Sequence, residues 1–342
     1  MTQESNLILV VSPSKKTGKK SYSGGFVDRL YSDLHEKSIF KIIEIQAPPL
    51  KLYSWGPIRF LYLFIVTLTL LRKRPAIVHI HHATYLLPLG VICKRFLPSV
   101  KTIITFHGTD ANVFLFKKTI FRRCLYHFDL GICVSEYLKR VVESYGTDLQ
   151  LVSCPMGVDT QIFHRPSKPV EKKYELCFIG NVTAAKGCDI LLKALSTAQL
   201  KDVSMCIVGL GPLLQNFERY ENVTLHGSLS QLQLRQVLWE SRYLISLSKS
   251  EGFGLVASEA ISCGTDVILS DIPAFREQVT NIKTGHLIAH HTADLGEQIS
   301  KILSFNKQVS ILNNIPYEYT LIHAQYFHIE QYRKILCTSV AN

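Results

Sequence analysis

Short, almost wholly apolar runs rich in β-branched residues alternate along this chain with longer amphipathic stretches. That alternation limits the fold more than any other feature. Strands are predicted at 7–12, 41–46, 77–82, 101–106 and 130–135, and again at 175–179, 204–208, 223–226, 243–248 and 266–270. A strand that is apolar on both faces must be covered on both, as a parallel strand between two helical layers is. The segments 25–37, 136–145, 187–198 and 230–240 carry the spacing that covering helices need. The pattern predicts an α/β protein with two doubly wound, Rossmann-like parallel sheets.

The chain has 342 residues, room for two domains of about 100–200 residues each. Phe163-His164-Arg165-Pro166-Ser167-Lys168-Pro169 holds two prolines with flanking charges and reads as the break. The expected domains are therefore 1–165 and 166–318. A helical pattern over Tyr319–Leu336 lies in the remaining segment, 319–342. Ligands of open α/β sheets bind beyond the carboxyl ends of the strands. Two such sheets facing each other would pool those loops into one cleft, where functional residues are to be sought.

Composition narrows the class. Apolar residues make up 47% and charged residues 19%, a globular balance with no disordered tract. The nine cysteines form no Cys-x-x-Cys pair, and several sit in apolar runs such as Leu176-Cys177-Phe178. They read as buried thiols of a reducing compartment, not as disulfides or zinc ligands. The polar start Met1–Asn6 is no signal peptide, and the apolar run Phe60–Leu71 is well short of the ~20 residues that span a bilayer. A cytoplasmic protein is expected, with peripheral attachment to the inner face of the plasma membrane left open. The whole formal charge of +11 lies in residues 1–165, and 166–342 are neutral. The first half is thus expected to meet something anionic: a membrane surface, a phosphorylated glycolipid or nucleic acid. No nucleic-acid module pattern is present, which counts against the last. A basic, aromatic helix expected over Ala111–Phe128 carries Lys117, Lys118, Arg122 and Arg123 among Phe114, Phe116 and Phe121. It reads equally as a membrane-surface helix or as a core helix with a solvated face.

The most informative motif follows the strand predicted at 243–248: Lys249-Ser250-Glu251-Gly252-Phe253-Gly254-Leu255-Val256-Ala257-Ser258-Glu259-Ala260. Two glycines let the backbone turn tightly and approach a ligand. A helix starting near Gly254 would aim its first N–H groups, including those of Leu255 and Val256, at a diphosphate. Glu259 lies about five residues on, a rise of roughly 7.5 Å, and could take ribose hydroxyls while the phosphates sit at the helix start. Glu251 could reach sugar hydroxyls. Two solvated glutamates on a glycine-rich loop are the plainer alternative. Lys186, in Gly180-Asn181-Val182-Thr183-Ala184-Ala185-Lys186-Gly187, could neutralise a pyrophosphate leaving group, or be a solvated lysine. His107 ends a predicted strand and could bond to a sugar, or be a satisfied core histidine. His79 and His81 share a strand face, but no third ligand is evident and no metal is expected.

Two glutamates eight positions apart around Gly-Phe-Gly, followed by Ser262-Cys263-Gly264, resemble the large retaining glycosyltransferase family 4, of GT-B fold. Other landmarks appear in order: Gly24-Gly25, Ile77–His81, Thr105–Asp110, Val134-Ser135, Pro155–Asp159, Gly180 through Gly187, and Val208–Pro212. The resemblance covers nearly the whole chain. It implies a metal-independent enzyme with no cofactor beyond the nucleotide sugar. It would move a hexose from a UDP- or GDP-sugar to a glycan or glycolipid acceptor of the cell envelope, with retention. It implies catalytic roles for His107, Lys186 and Glu251. Gly25, Gly180, Asn181, Lys186, Gly252, Phe253, Gly254, Leu255, Val256 and Glu259 would bind the donor. It also implies a last helix crossing back to the first domain. Asn181 stands where the family usually has arginine, one cation fewer at the phosphates. Rival readings are a GT-B epimerase or phosphorylase, or a non-catalytic protein binding nucleotide sugar or nucleic acid.

Overall fold

The computed structural model describes residues 6–15, 25–32, 40–47, 56–289, 294–304 and 315–337. It divides into two compact units, one running to Met156 and resuming at Leu321, the other spanning Gly157–Thr320.

The first unit holds β1 (Leu7–Lys15), α1 (Gly25–Ser32), β2 (Lys41–Ala47), α2 (Gly56–Leu71), β3 (Ile77–His81), α3 (Pro88–Phe96), β4 (Lys101–Phe106), β5 (Leu130–Cys133), α4 (Glu136–Glu143) and β6 (Leu151–Ser153). Its sheet runs β2-β1-β3-β4-β5-β6, every neighbouring pair parallel. All residues of β3 and β5 are buried, as apolar strands between helical layers must be.

The second unit holds β7 (Tyr174–Ile179), α5 (Cys188–Leu195), β8 (Met205–Val208), β9 (Val223–His226), α6 (Gln231–Trp239), β10 (Ser241–Ser246), α7 (Leu255–Ser262), β11 (Asp266–Ser270), α8 (Pro273–Ile282), β12 (His286–Ile288) and α9 (Leu295–Ser304). Its sheet runs β12-β11-β10-β7-β8-β9, also parallel throughout. The chain winds outward in both directions from the β7–β10 pair, so the switch point lies there.

The final helix α10 (Leu321–Cys337) belongs to the first unit. Leu321, Ala324, Ile329 and Tyr332 join Ile8, Val10, Leu30 and Ile77 in one buried cluster. The second core gathers Leu176, Phe178, Leu191, Ile207, Ile245 and Ile268.

Three expectations change. The predicted helix over Ala111–Phe128 is two irregular pieces, a π turn Asp110–Leu115 and a 3₁₀ stretch Thr119–His127, broken at Lys118 (φ −111°, ψ 63°). The break lets Phe114 and Phe121 both reach Tyr85, with ring centroids 4.9 and 5.6 Å away. The strand predicted at 243–248 runs Ser241–Ser246 instead: Ser241 already pairs with Tyr174 of β7, and just past the end the chain at Leu247 packs on Gly187, where a Cβ would sit 2.0 Å from the Leu247 carbonyl oxygen. Cys337 is exposed and Cys124 half-buried, whereas the other seven cysteines are buried. Among the described residues no helix is long and apolar enough to cross a membrane.

Candidate functional site

In the second unit, the loops leaving β7 and β10 emerge side by side at the switch point. Their meeting depends on close backbone contact. A Cβ on Gly209, at the end of β8, would lie 1.9 Å from the carbonyl oxygen of Gly180, and one on Gly211 2.3 Å from that of Val182. Gly209-Leu210-Gly211 therefore serves packing. Thr183 caps the 3₁₀ turn Ala184–Lys186 by accepting from the Lys186 N–H, and Gly187 reverses the chain at φ +74°. The Lys249 N–H donates to the carbonyl of Ala185 (3.0 Å), tying the two loops together.

Across that seam the Lys186 ammonium donates to Glu251 Oε1 at 2.5 Å, and the Ser248 hydroxyl donates to the same oxygen at 2.8 Å. The Glu251 side chain is only 14% exposed. Fold and sequence thus bring together two of the predicted catalytic residues, 65 positions apart. A charge-assisted contact between half-buried groups fixes the ammonium's position as well as its charge. Asn181 is exposed at the turn, beside half-buried Gly180.

Gly254 sits in the left-handed region (φ +86°) immediately before α7, and a Cβ there would meet the Phe275 ring at 2.4 Å. Gln278 braces this corner by donating to the carbonyls of Phe253 (2.7 Å) and Gly254 (3.3 Å). The Phe253 ring is packed inside, 5.6 Å from that of Tyr319, so Phe253 offers a ligand only its main chain. The first helical N–H groups, those of Leu255 and Val256, belong to the turn that has no preceding carbonyl partner in the helix. Glu259, one turn further, is 2% exposed. Two solvated glutamates are not what this loop holds.

In the first unit, His107 follows β4. The carboxylate of Asp110, itself buried, accepts from the N–H groups of Gly108 (2.7 Å), Ala83 (2.9 Å), His107 (3.0 Å) and Ala111 (3.0 Å). This one side chain shapes the turn that presents the imidazole. His107 Nε2 lies 3.0 Å from His81 Nδ1, and His81 Nε2 2.9 Å from the Tyr31 hydroxyl. Tyr31 bonds to the Tyr332 hydroxyl (2.9 Å), which reaches His79 Nδ1 (2.7 Å), and His79 Nε2 ends the run at Thr105 (2.7 Å). Burial holds His79, His81 and His107 well below the usual histidine range. The rings are therefore neutral near pH 7, and each link holds one shared proton. The tautomer of His107 is coupled to a chain that passes through Tyr332 of helix α10 and ends at Thr105. Among the described residues no group of histidine, cysteine and carboxylate side chains is placed to hold a metal ion.

Gly25 is the first residue of α1. Gly24 and Lys16–Lys20 lie outside the described residues, as does the side chain of Lys15. Sequence reasoning missed Ser248, Gln278, Asp110, Tyr31 and Tyr332. Asp110 alone had a local signal, the run His107-Gly108-Thr109-Asp110, where a short carboxylate can bond back to its own turn.

Residues 159–315 match the family model of the glycosyl transferases group 1, and residues 25–162 that of glycosyltransferase family 4. An uncharacterized glycosyltransferase of Methanocaldococcus jannaschii is 28% identical over 244 residues, covering 67% of this chain and 65% of its own. A D-inositol 3-phosphate glycosyltransferase of Paenarthrobacter aurescens is 25% identical over 185 residues, covering 47% and 45%. The chain thus spans less than two thirds of either relative. Among solved structures, sucrose-phosphate synthase of Thermosynechococcus elongatus superposes with a TM-score of 0.77 at 15% identity, covering 97% of this chain and all of that one. HepE of Anabaena, in complex with UDP and glucose, gives 0.73 at 16%, covering 96% and 100%.

Proposed function

Because this chain belongs to the GT-B glycosyltransferases of group 1, we propose that it moves a hexose from a nucleoside diphosphate sugar to a glycan or glycolipid acceptor, with retention at the anomeric carbon. The observation that carries the reading is the Lys186–Glu251 contact at the switch point of the second sheet, with Glu259 buried in the adjoining helix. The donor diphosphate lies over the start of α7, where main-chain N–H groups and the helix dipole favour negative charge. Glu259 takes the ribose hydroxyls. Lys186, held by Glu251, neutralises the charge that grows on the diphosphate as the glycosidic bond breaks. Glu251 spends one oxygen on Lys186 and Ser248 and offers the other to sugar hydroxyls. That commitment disfavours a double displacement through Glu251 and supports front-face attack assisted by the departing phosphate. His107, neutral, hydrogen-bonds the sugar without adding charge.

A uridine nucleotide is the first donor to try, since HepE, of the same fold, is found with UDP. Sugar nucleotides and the basic first half together favour a cytoplasmic enzyme acting at the inner face of the membrane. Calorimetry against UDP, GDP, ADP and CMP is expected to pick out one nucleotide. Glu259→Gln is expected to weaken that binding by about tenfold or more, the value of one charged hydrogen bond. Lys186→Ala is expected to cut turnover by about 100-fold. Unchanged affinity and turnover in both variants would reject the assignment.

A further inference from the structure

The first sheet reverses its winding between β1 and β3, and ligands of open parallel sheets collect at such a point. A cavity of about 520 Å³ opens there, entirely within the first unit. Its wall includes Pro13 from β1, His82 after β3 and Thr109 after β4. The size falls within the range of roughly 300–1,000 Å³ usual for small-molecule sites. None of the residues assigned to the donor lines it.

The chemistry of the wall is lopsided. Arg59 of α2, Lys117 and Lys118 bring three cations against one carboxylate, Asp110. Asp110 is already occupied by main-chain N–H groups. The Nε of half-buried Arg59 has no hydrogen-bond partner among the described residues, although burial normally demands one. Phe60, Val113 and Phe114 make the rest largely apolar. Neutral sugars are usually held by free carboxylates and amides. Among the described residues this lining has no amide side chain and no uncommitted acid. It suits an anionic group, which a guanidinium fork and two ammonium groups can chelate. The wall is also next to the reacting end of the unit: Thr109 and Asp110 continue the turn that carries His107, and the His82 ring stacks on that of His107 with centroids 4.1 Å apart.

We propose that this cavity anchors the acceptor through a phosphate monoester, held by Arg59, Lys117 and Lys118, with its carbon skeleton against Phe60 and Phe114. The inference rests on the transferase reading for the word acceptor, but not for the phosphate site. A soluble sugar phosphate and a phospholipid headgroup share this chemistry.

Titration calorimetry on the full chain, with excess UDP to fill the donor phosphate site, tests the assignment. The probes are glucose 6-phosphate, lysophosphatidate and, as the uncharged control, glucose. At least one phosphate is expected to bind and glucose is not. Preference for glucose 6-phosphate assigns a soluble acceptor, and preference for lysophosphatidate a headgroup. Arg59→Gln is expected to weaken the phosphate at least tenfold, Arg59→Lys less, and the double variant Lys117→Gln/Lys118→Gln about tenfold. UDP affinity should not change in any of them. The two exposed lysines keep the test open if Arg59 variants fold poorly. Failure of both phosphates to bind, or binding undiminished in the double lysine variant, overturns the proposal. Phosphate binding that depends on these cations, in a chain that binds no nucleotide, would instead reject the transferase reading and leave the site standing.

Discussion

Tyr332 shows what one hydroxyl can decide. It stands on the last helix, yet it touches both Tyr31 and His79, two links in the chain that ends at His107. Neutral imidazoles carry one N–H each, so a change at one end of such a chain is felt as a change of tautomer at the other. Tyr332→Phe removes a hydroxyl and no ring. Its stability cost is expected to be about 1–2 kcal/mol. Turnover is expected to fall several-fold with KM for the donor nearly unchanged, and the pH–rate profile to move. An unaltered profile with the stability loss alone would mean that the hydroxyl only fills space. Lys186 and Glu251 illustrate the complementary case: neither side chain is deeply buried, and their contact is set by the loops that bring them together.

Those loops are held by absence of side chain. Gly209→Ala would drive a Cβ to 1.9 Å from the Gly180 oxygen in a residue at φ +135°. A loss of about 3 kcal/mol is expected from overpacking and strain combined, read as a lower denaturation midpoint at constant m-value. Of the elements, the long apolar strands were legible because their pattern arises from burial on both faces. β6 and β12 were not: three residues, mostly half-buried, are too few for any period to register. The break at Lys118 was equally hidden, since it follows from aromatic packing on Tyr85 and not from a local breaker. At the site, the glycine-flanked glutamates and Lys186 were legible as types in a spacing. Their mutual contact was not, because it depends on β7 and β10 being neighbours. Gln278 left no trace at all, since its bond to the Phe253 carbonyl is made across 25 residues. The cavity of the first unit was legible only as excess charge in the first half.

At the scale of the molecule, the depressed histidines sit in the first unit. Burial lowers His328 to about 4 from an ordinary value near 6.5. The unfolded chain then binds the extra proton between those values, so the stabilising effect is whole above about pH 6.5 and is lost as pH falls toward 4. His328 alone accounts for roughly 3 kcal/mol of that loss, and His79, His81 and His107 act in the same direction. Scanning calorimetry from pH 7 to 5 is expected to show a transition of the first unit moving down in temperature while that of the second stays nearly fixed, and His328→Gln should flatten the movement. Parallel movement of both would contradict this placement of the charge. The return of α10 to the first core has a consequence for biosynthesis. Residues 157–320 form an uninterrupted stretch and can consolidate as they leave the ribosome, whereas the core of the earlier-made portion stays incomplete until Ala324, Ile329 and Tyr332 have been synthesised. The part of the polypeptide translated first is thus the last to mature, and during that delay it is the more exposed to chaperones and proteases.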